Sequence, residues 1–326
     1  MANVIYSNAR AKAMENYLVG ADKLGRMLDC SDANEALKVL AEVNFGEGAT
    51  IESPLEFEKL ISAEEKKLIA FIKETCAKTS VKKFFLYKYD YHNAETVMKM
   101  KHLNIAVDEL KAPDGLFSAD EMKEKILVDD YGAFPSSLKD ALIKADMMFV
   151  EEKATGPEIS GLFKKAYYKE LSALSKSDKL LKKIYSVKAD SVNIAVALRT
   201  RNYQKAKEFF VEGGKLSEEQ LKYISEQQPE SIKENFVYSE VRELIDYACD
   251  SFIKGVPLSE FEREAESYAL KFLKKDKYSI SGMHPYIQYI YSKKAELENV
   301  RIILVGLINS LEKTEIRKRL RESYEG

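Results

Sequence analysis

Apolar residues recur along most of the chain at spacings of three and four, which is the period of an amphipathic helix. One such series is Leu138, Leu142 and Ala145, and another runs through Val241, Leu244 and Ala248. Alternation of apolar and polar residues, which is typical of half-buried strands, is nearly absent. The pattern therefore predicts an all-α protein.

Segments that contain Gly or Pro interrupt the helical period, and several of them lead into a helix start. Three serines have Glu or Gln three positions later, which is the spacing of a capping box. These predicted boxes are Ser118 with Glu121, Ser217 with Gln220, and Ser259 with Glu262.

A short motif, an acidic residue followed by two spacers and an asparagine, occurs three times inside apolar helical stretches. The copies lie in "YDYHNAETVMK", "KADSVNIAVALR" and "KAELENVRIILV", and their asparagines are separated by 100 and 106 residues. Each asparagine has an aromatic residue eight positions earlier and a lysine five positions earlier. The repetition predicts three similar helical domains, at residues 1–110, 111–209 and 210–326.

The acidic residue and the asparagine of each copy lie on one side of a helix, because residues three apart are neighbours there. We call them pairs 1, 2 and 3: Asp90 with Asn93, Asp190 with Asn193, and Glu296 with Asn299. Two interpretations remain open. In the first, the acid caps or favours the first turn of a helix while the asparagine bonds the backbone of a neighbouring helix and so fixes the internal register of the domain. In the second, the pairs face a shared axis and contact a partner protein.

Composition bounds the possible functions. The chain has 326 residues, 45% of them hydrophobic, which is enough for two or three domains with real cores. Its 51 basic and 53 acidic residues leave a net charge of -2, so nucleic acid is not an expected partner.

Candidate catalytic, metal and cofactor sites are not found. The three cysteines are far apart and the three histidines lack metal-ligand spacing, so we expect no metal and a reducing compartment. Glycine-rich phosphate-binding motifs are missing, and adjacent acidic residues point to different sides of a helix. We therefore expect no bound cofactor and no enzyme activity.

Targeting and membrane-spanning segments are not expected. The first residues lack the apolar core and cleavage site of a secretory signal, and the longest apolar runs, such as "IILVGLI", fall well short of a span of ~20 residues. This favours a cytoplasmic protein that does not insert into a membrane.

Three stretches resemble the C subunits of the bacterial and archaeal V-type (A/V-type) ATPases, which are relatives of the d subunit of eukaryotic V-ATPases. They are "YSNARAKAMENYL", "ADSVNIAVALRTRNY" and the block that starts "ELENVRIILVGLINSL" and continues through "IRKRLRESY". The resemblance extends over the whole chain in length and motif order. The third copy of the acid-asparagine motif departs from the other two. It has Glu296 in place of Asp, and it has Arg301 where the other copies have Glu95 and Ala195.

The resemblance implies a funnel of three similar helical domains around a pseudo-threefold axis. It further implies a non-catalytic central-stalk subunit, peripheral to the membrane, for proton or sodium transport. A protein of this type joins the D-type and F-type subunits of the rotating central shaft to the membrane proteolipid rotor ring. In isolation we expect a monomer. The alternatives are an α-helical repeat scaffold without a rotary role and a helical enzyme that lacks familiar motifs.

Four arginines that interrupt apolar repeat helices are candidate contacts to the shaft: Arg10, Arg199, Arg201 and Arg301. A guanidinium group suits desolvated contacts to carboxylates or helix C-termini. The competing interpretation is that these arginines only bridge helices within the chain. The basic run "IRKRLRESYEG" also has two interpretations. It is either a helix C-terminus, where positive charge is favourable, or a docking site for an acidic partner.

Overall fold

The computed structural model describes residues 3–103, 112–151, 154–258, 260–262, 265, 268, 273–274 and 282–321. These residues form helices, turns and loops, and none of them lies in a β-strand. The all-α class predicted from the sequence is therefore confirmed. No helix in the described part is long and apolar enough to cross a membrane.

The α-helices follow one another along the chain in short and long segments. In order, they are α1 (Val4–Glu15), α2 (Gly20–Asp29), α3 (Ala33–Ala41), α4 (Glu58–Thr75), α5 (Thr79–Leu103), α6 (Ala119–Leu127), α7 (Ser136–Val150), α8 (Gly156–Ser175), α9 (Lys179–Thr200), α10 (Tyr203–Ala206), α11 (Glu218–Glu226), α12 (Pro229–Asn235), α13 (Arg242–Ile253), α14 (His284–Ile308) and α15 (Lys313–Arg319). Short 3-10 helices occur at Pro54–Glu56 and Lys207–Phe209.

Side-chain caps explain many of the helix starts, because the first backbone N–H groups of a helix lack partners within it. The predicted capping box at Ser217 and Gln220 is confirmed at the start of α11. The predicted box at Ser118 is wrong: its side chain makes no capping bond, and Asp114 accepts the N–H of Ala119 instead. The third predicted box involves Ser259, which lies outside the described residues.

The chain divides into two compact units. Unit 1 comprises Met1–Thr79 and Ser267–Gly326, and unit 2 comprises Ser80–Glu266. Unit 1 therefore contains both ends of the chain. The division into three similar domains stays a prediction, and its first boundary, at 110 and 111, lies outside the described residues.

The core of unit 1 forms where the C-terminal half of α14 meets α2, α3 and the start of α4. Leu28, Leu40 and Ile61 from the first part of the chain pack with Val300 and Leu304 of α14. All five are nearly inaccessible to solvent. Because each of these helices is short or only partly apolar, tertiary packing supplies most of its stability.

Unit 2 contains a core of similar construction around the second half of α5. Val97 and Met98 of α5 pack with Ile126 of α6, Leu142 of α7 and Phe163 of α8. The predicted apolar series in α7, which starts at Leu138, faces this core. The period of three and four thus identified the buried side of the helix correctly.

Candidate functional site

The three acid-asparagine pairs lie on the long helices α5, α9 and α14, and all six side chains are buried. The asparagines bond backbone of the same chain, which agrees with the interpretation that they fix internal register. The acids lie in the middle of their helices and not in a first turn, and they accept backbone N–H groups from other segments; Glu296 also accepts a bond from the side chain of Lys293. A contact between these pairs and a partner protein stays a prediction.

Pair 1 binds the segment that leads into α6. The carboxylate of Asp90 accepts the N–H groups of Leu116 at 3.0 Å and Phe117 at 3.1 Å. The amide of Asn93 donates to the carbonyls of Ala112 at 3.1 Å and Pro113 at 3.3 Å. Pair 1 thus holds the loop immediately before a helix.

Pair 2 repeats this arrangement before α11. Asp190 accepts the N–H groups of Lys215, at 2.9 Å, and Leu216, at 3.1 Å. Asn193 both donates to the carbonyl of Val211 and accepts its N–H, each at 2.8 Å. Burial raises the pKa of Asp190, although the N–H groups of Lys215 and Leu216 oppose this effect.

A glycine makes each of these close approaches possible. A Cβ added at Gly115 would overlap with the carboxylate of Asp90, and one added at Gly214 would overlap with that of Asp190. Each glycine directly precedes the first N–H group that the acid accepts. This role of the two glycines was not predicted, although their spacing of 25 and 24 residues after the acids is a detectable signal.

Pair 3 has the same asparagine contact but a different acid contact. Asn299 donates to the carbonyl of Arg321 at 3.0 Å and accepts its N–H at 2.7 Å. Glu296, however, accepts the N–H of Val19, which directly precedes α2 near the other end of the chain. The third acid therefore binds a segment 277 residues earlier in the sequence.

Glu296 also belongs to a buried ionic cluster in unit 1. The ammonium group of Lys293 lies 2.7 Å from Oε2 of Glu64 and 2.7 Å from Oε1 of Glu296. Glu64 further accepts the N–H of Gly46 at 2.9 Å and a bond from Lys67 at 3.0 Å. Lys293 and Glu64 were not predicted as site residues, because the sequence alone does not show that Lys293 is buried while the adjacent Lys294 is half-buried.

The two carboxyl groups of this cluster differ in their pKa values. Burial raises the pKa of Glu296. Burial also acts on Glu64, but the charge of Lys293 and the hydrogen bonds that Glu64 accepts outweigh it and hold its pKa below the ordinary value. Burial opposes the charged form of Lys293, yet the two carboxylates raise its pKa. The cluster thus keeps Lys293 charged inside the protein.

A second ionic cluster in unit 2 surrounds Asp146 of α7. Lys101 and His102 at the end of α5 lie 2.9 Å and 2.6 Å from its carboxylate, and Tyr131 also donates to it. Burial acts to raise the pKa of Asp146, but these hydrogen bonds prevail and lower it. The partners come from separate parts of the chain, so the cluster fits a structural role.

The four candidate arginines differ in exposure. Arg10 on α1 and Arg199 on α9 are exposed, and Arg199 lies 3.5 Å from Glu262. Arg201 lies over the ring of Phe252 with a centroid distance of 5.7 Å. These contacts leave Arg10 and Arg199 as the candidates most accessible to a partner.

Arg301 has strong partners inside unit 1. Its guanidinium group binds both carboxylate oxygens of Glu58, at 2.7 Å and 3.0 Å, and Glu298 at 2.6 Å. A fork-like contact of this kind is among the stronger ion pairs in proteins. An internal bridge therefore accounts for Arg301, and its contact with a shaft stays a prediction.

The basic turn of α15 is exposed at Arg317, Lys318 and Arg319. Lys318 pairs with Glu315 at 2.6 Å, and Arg317 lies 3.9 Å from Asp29. The positive residues lie in the last turn of the helix, where their charge interacts favourably with the negative end of the helix dipole. Docking of an acidic partner at this turn stays a prediction.

The cysteines form no disulfide and no metal cluster. Cys76 and Cys249 are buried and Cys30 is half-buried, and none of the three is in a disulfide. Within the described residues, no group of three or more His, Cys, Asp or Glu side chains could hold a metal ion.

Comparison with known proteins identifies the family. Residues 7–319 match the model of the ATP synthase (C/AC39) subunit family. The chain is 21% identical to the C subunit of the V-type sodium ATPase of Enterococcus hirae, over 83% of each chain. It is 26% identical to the C subunit of the A-type ATP synthase of Methanococcoides burtonii, over 98% of this chain and 94% of that protein.

A further relative is the C subunit of the A-type ATP synthase of Methanocaldococcus jannaschii, which is 23% identical over 98% of this chain and 86% of its own length. The family model covers nearly every residue of the described helices, including the three long helices that carry the pairs. The chain therefore belongs to the ATP synthase (C/AC39) subunit family.

Proposed function

We propose that the protein is a non-catalytic central-stalk subunit of a rotary V-type ATPase or ATP synthase. In this role it couples the rotating central shaft, through D-type and F-type subunits, to the membrane proteolipid ring that transports protons or sodium ions. The observation that carries the proposal is the family match across residues 7–319. The names of the relatives, which include a sodium ATPase and ATP synthases, support a rotary complex.

The internal construction suits a part that transmits torque. Close-packed interiors have low compressibility, so a force applied at one helix passes on with little deformation. The long helices α5, α9 and α14 are each fastened to other backbone segments by buried hydrogen bonds. Three similar domains around a pseudo-threefold axis, which form a funnel, are part of this proposal, and the repeated pairs support them.

A central socket is the proposed site for the shaft, because an off-centre attachment would wobble with each turn. Arg10 and Arg199 are the proposed contacts, since both are exposed and positively charged. The proposed location is peripheral to the membrane, on the cytoplasmic side. The proposed state of the isolated chain is a monomer without ATPase activity.

The test is a pull-down of the tagged, full-length protein with identification of the bound subunits. We expect D-type and F-type shaft subunits and proteolipid. Capture of unrelated proteins without any rotor subunit would instead favour a helical scaffold and overturn the rotary role.

Charge reversal tests the shaft contact separately. The double variant Arg10→Glu with Arg199→Glu should lose shaft subunits in the pull-down while its thermal melting stays unchanged. Lys222→Glu, at an exposed position of α11, is the matched control and should bind normally. Retained shaft binding by the double variant would show that these arginines are not the contact, without touching the family assignment.

A further inference from the structure

The long helix α14 binds and packs against helices near the start of the chain in the way that α5 binds and packs against the helices that follow it. Pair 1 on α5 binds the segment before α6, and pair 2 on α9 binds the segment before α11. Pair 3 on α14 binds Val19, the residue before α2. In each case the acid holds the backbone that leads into a short helix of nine or ten residues.

The packing around α5 and α14 follows the same register. Counted from its asparagine, each helix contributes the residues at positions -2, +1, +4 and +5 to a core. In α5 these are Tyr91, Ala94, Val97 and Met98, and in α14 they are Leu297, Val300, Ile303 and Leu304. The partners of α5 come from α6, α7 and α8, and those of α14 come from α2, α3, the start of α4 and, through Ile316, α15.

We propose that each acid-asparagine pair is a joint that repeats along the chain. Its acid binds a long helix to the backbone just before the short helix that packs against it. The third joint, at pair 3, binds α14 to α2, a helix from the opposite part of the sequence. At pairs 1 and 2 the joined segments follow one another along the sequence. At pair 3 they come from opposite ends of the chain. The structural repeat therefore begins at a long helix, and its third copy combines α14 with α2–α4.

Side-chain length supports this assignment. At pairs 1 and 2 an aspartate reaches the backbone because Gly115 and Gly214 allow it to approach. At pair 3 the residue before the bound N–H is Leu18, which cannot allow such an approach, and the acid is Glu296. Glutamate has one more methylene group than aspartate, so its carboxylate reaches farther from its helix. The change of Asp to Glu is thus the counterpart of the change of Gly to Leu.

Hydrogen exchange of the full-length protein, followed peptide by peptide, tests the joint. Gly214→Ala should push the loop away from Asp190 and accelerate exchange at residues 211–217 at least about tenfold, the change expected from ~1.4 kcal/mol of lost local stability. Gly25→Ala is the matched control, because a Cβ there meets no atom within 4 Å. Equal exchange at residues 211–217 in both variants would overturn the proposal for pair 2.

Two variants of Glu296 test the closure of the chain. Glu296→Asp keeps the charge but shortens the reach, so exchange at Val19 and along α2 should rise at least about tenfold. Glu296→Gln keeps the reach to Val19 but removes one of the two carboxylates that face Lys293, so it should accelerate exchange across unit 1 and not only along α2.

Two results would overturn the inference. The first is unchanged exchange along α2 in both Glu296 variants. The second is a rise in Glu296→Asp that is spread evenly over unit 1, which would reduce Glu296 to a general contributor to stability.

Discussion

Replacing Lys293 by methionine should destabilise unit 1 strongly, because it leaves two carboxylates facing each other inside the protein. Lys293 is only 6% exposed, and its ammonium group lies 2.7 Å from each of Glu64 and Glu296. Methionine has nearly the same length and volume, so cavity formation contributes little. The change therefore isolates the charge.

The magnitude follows from opposing contributions. Each ion pair at 2.7 Å is worth about 6 kcal/mol at an effective dielectric constant of about 20. The cost of keeping the lysine charge out of water, several kcal/mol, is removed with it, and measured losses for one partner of a buried pair are about 3–5 kcal/mol. At pH 7, protonating one carboxyl to relieve the repulsion costs roughly 3.7 kcal/mol, since its ordinary pKa is about 4.3.

Because one carboxyl of the variant takes up a proton, the loss of stability depends on pH. In the variant, one carboxyl of the folded protein has a raised pKa, so the folded state binds a proton that the unfolded state has released. Stability of the variant therefore falls as pH rises through the range between about 4.3 and 7. The deficit relative to the unchanged protein should therefore be smaller at pH 5 than at pH 7.

The assay is urea unfolding at pH 5 and pH 7, followed by circular dichroism and by pulsed alkylation of Cys76. Cys76 is buried in unit 1 and reports its opening, which matters because two units need not unfold together. Lys59→Met is the matched control, since Lys59 lies 2.7 Å from Glu56 at the surface with 57% of its side chain exposed. We expect the control to cost about 0–1 kcal/mol.

Two results would refute this reasoning. The first is a loss for Lys293→Met no greater than that for Lys59→Met. The second is an equal loss at pH 5 and pH 7, which would show that no carboxyl takes up a proton when the lysine charge is removed.

Four further predictions concern other buried polar groups. Asn193→Ala should lower the urea midpoint more than Asn93→Ala. Asn193 pairs with both the carbonyl and the N–H of Val211, whereas Oδ1 of Asn93 has no hydrogen-bond partner within the described structure. Each buried polar group that is left unpaired costs about 1–3 kcal/mol. Asp146→Asn should be less stable than the unchanged protein at pH 7, and the difference should shrink as pH falls below about 4, because a lowered carboxyl pKa gives stability that acid removes. Ser292→Ala should melt at the same temperature or higher, since the buried hydroxyl has no partner in the described part of the chain. Burial raises the pKa of Cys249 to about 12, so alkylation at pH 8, followed by mass spectrometry, should modify this thiol only after unit 2 opens.

The helices and the pairs could be predicted from the sequence because both depend on spacing within one helix. The contacts of pairs 1 and 2 are harder to predict, since they depend on how the following loop returns. Gly115 and Gly214 nevertheless stand at nearly the same distance after their acids, so a comparison of the repeats could have indicated both loops.

The contact of Glu296 with Val19 could not be predicted in this way. No fixed spacing connects residues that are 277 positions apart, and the repeat as read from the sequence ends at the long helix instead of beginning there. Lys293 illustrates a second limit. It and Lys294 are neighbours in the sequence, and only the packing of α14 buries the first while leaving the second half-buried.

The ionic cluster of Lys293, Glu64 and Glu296 lies at pair 3, the one joint whose two helices are not connected by a nearby stretch of the chain. At pairs 1 and 2, the polypeptide itself connects the long helix to the helix that it holds, so a broken hydrogen bond leaves the two tethered. At pair 3, α14 and α2 have no such connection nearby, and only non-covalent contacts resist their separation. Lys293 and Glu64 add charged contacts to Glu296 at this place. Of the three joints, this one would therefore be the first to open under strain, and its additional ion pairs counteract that opening.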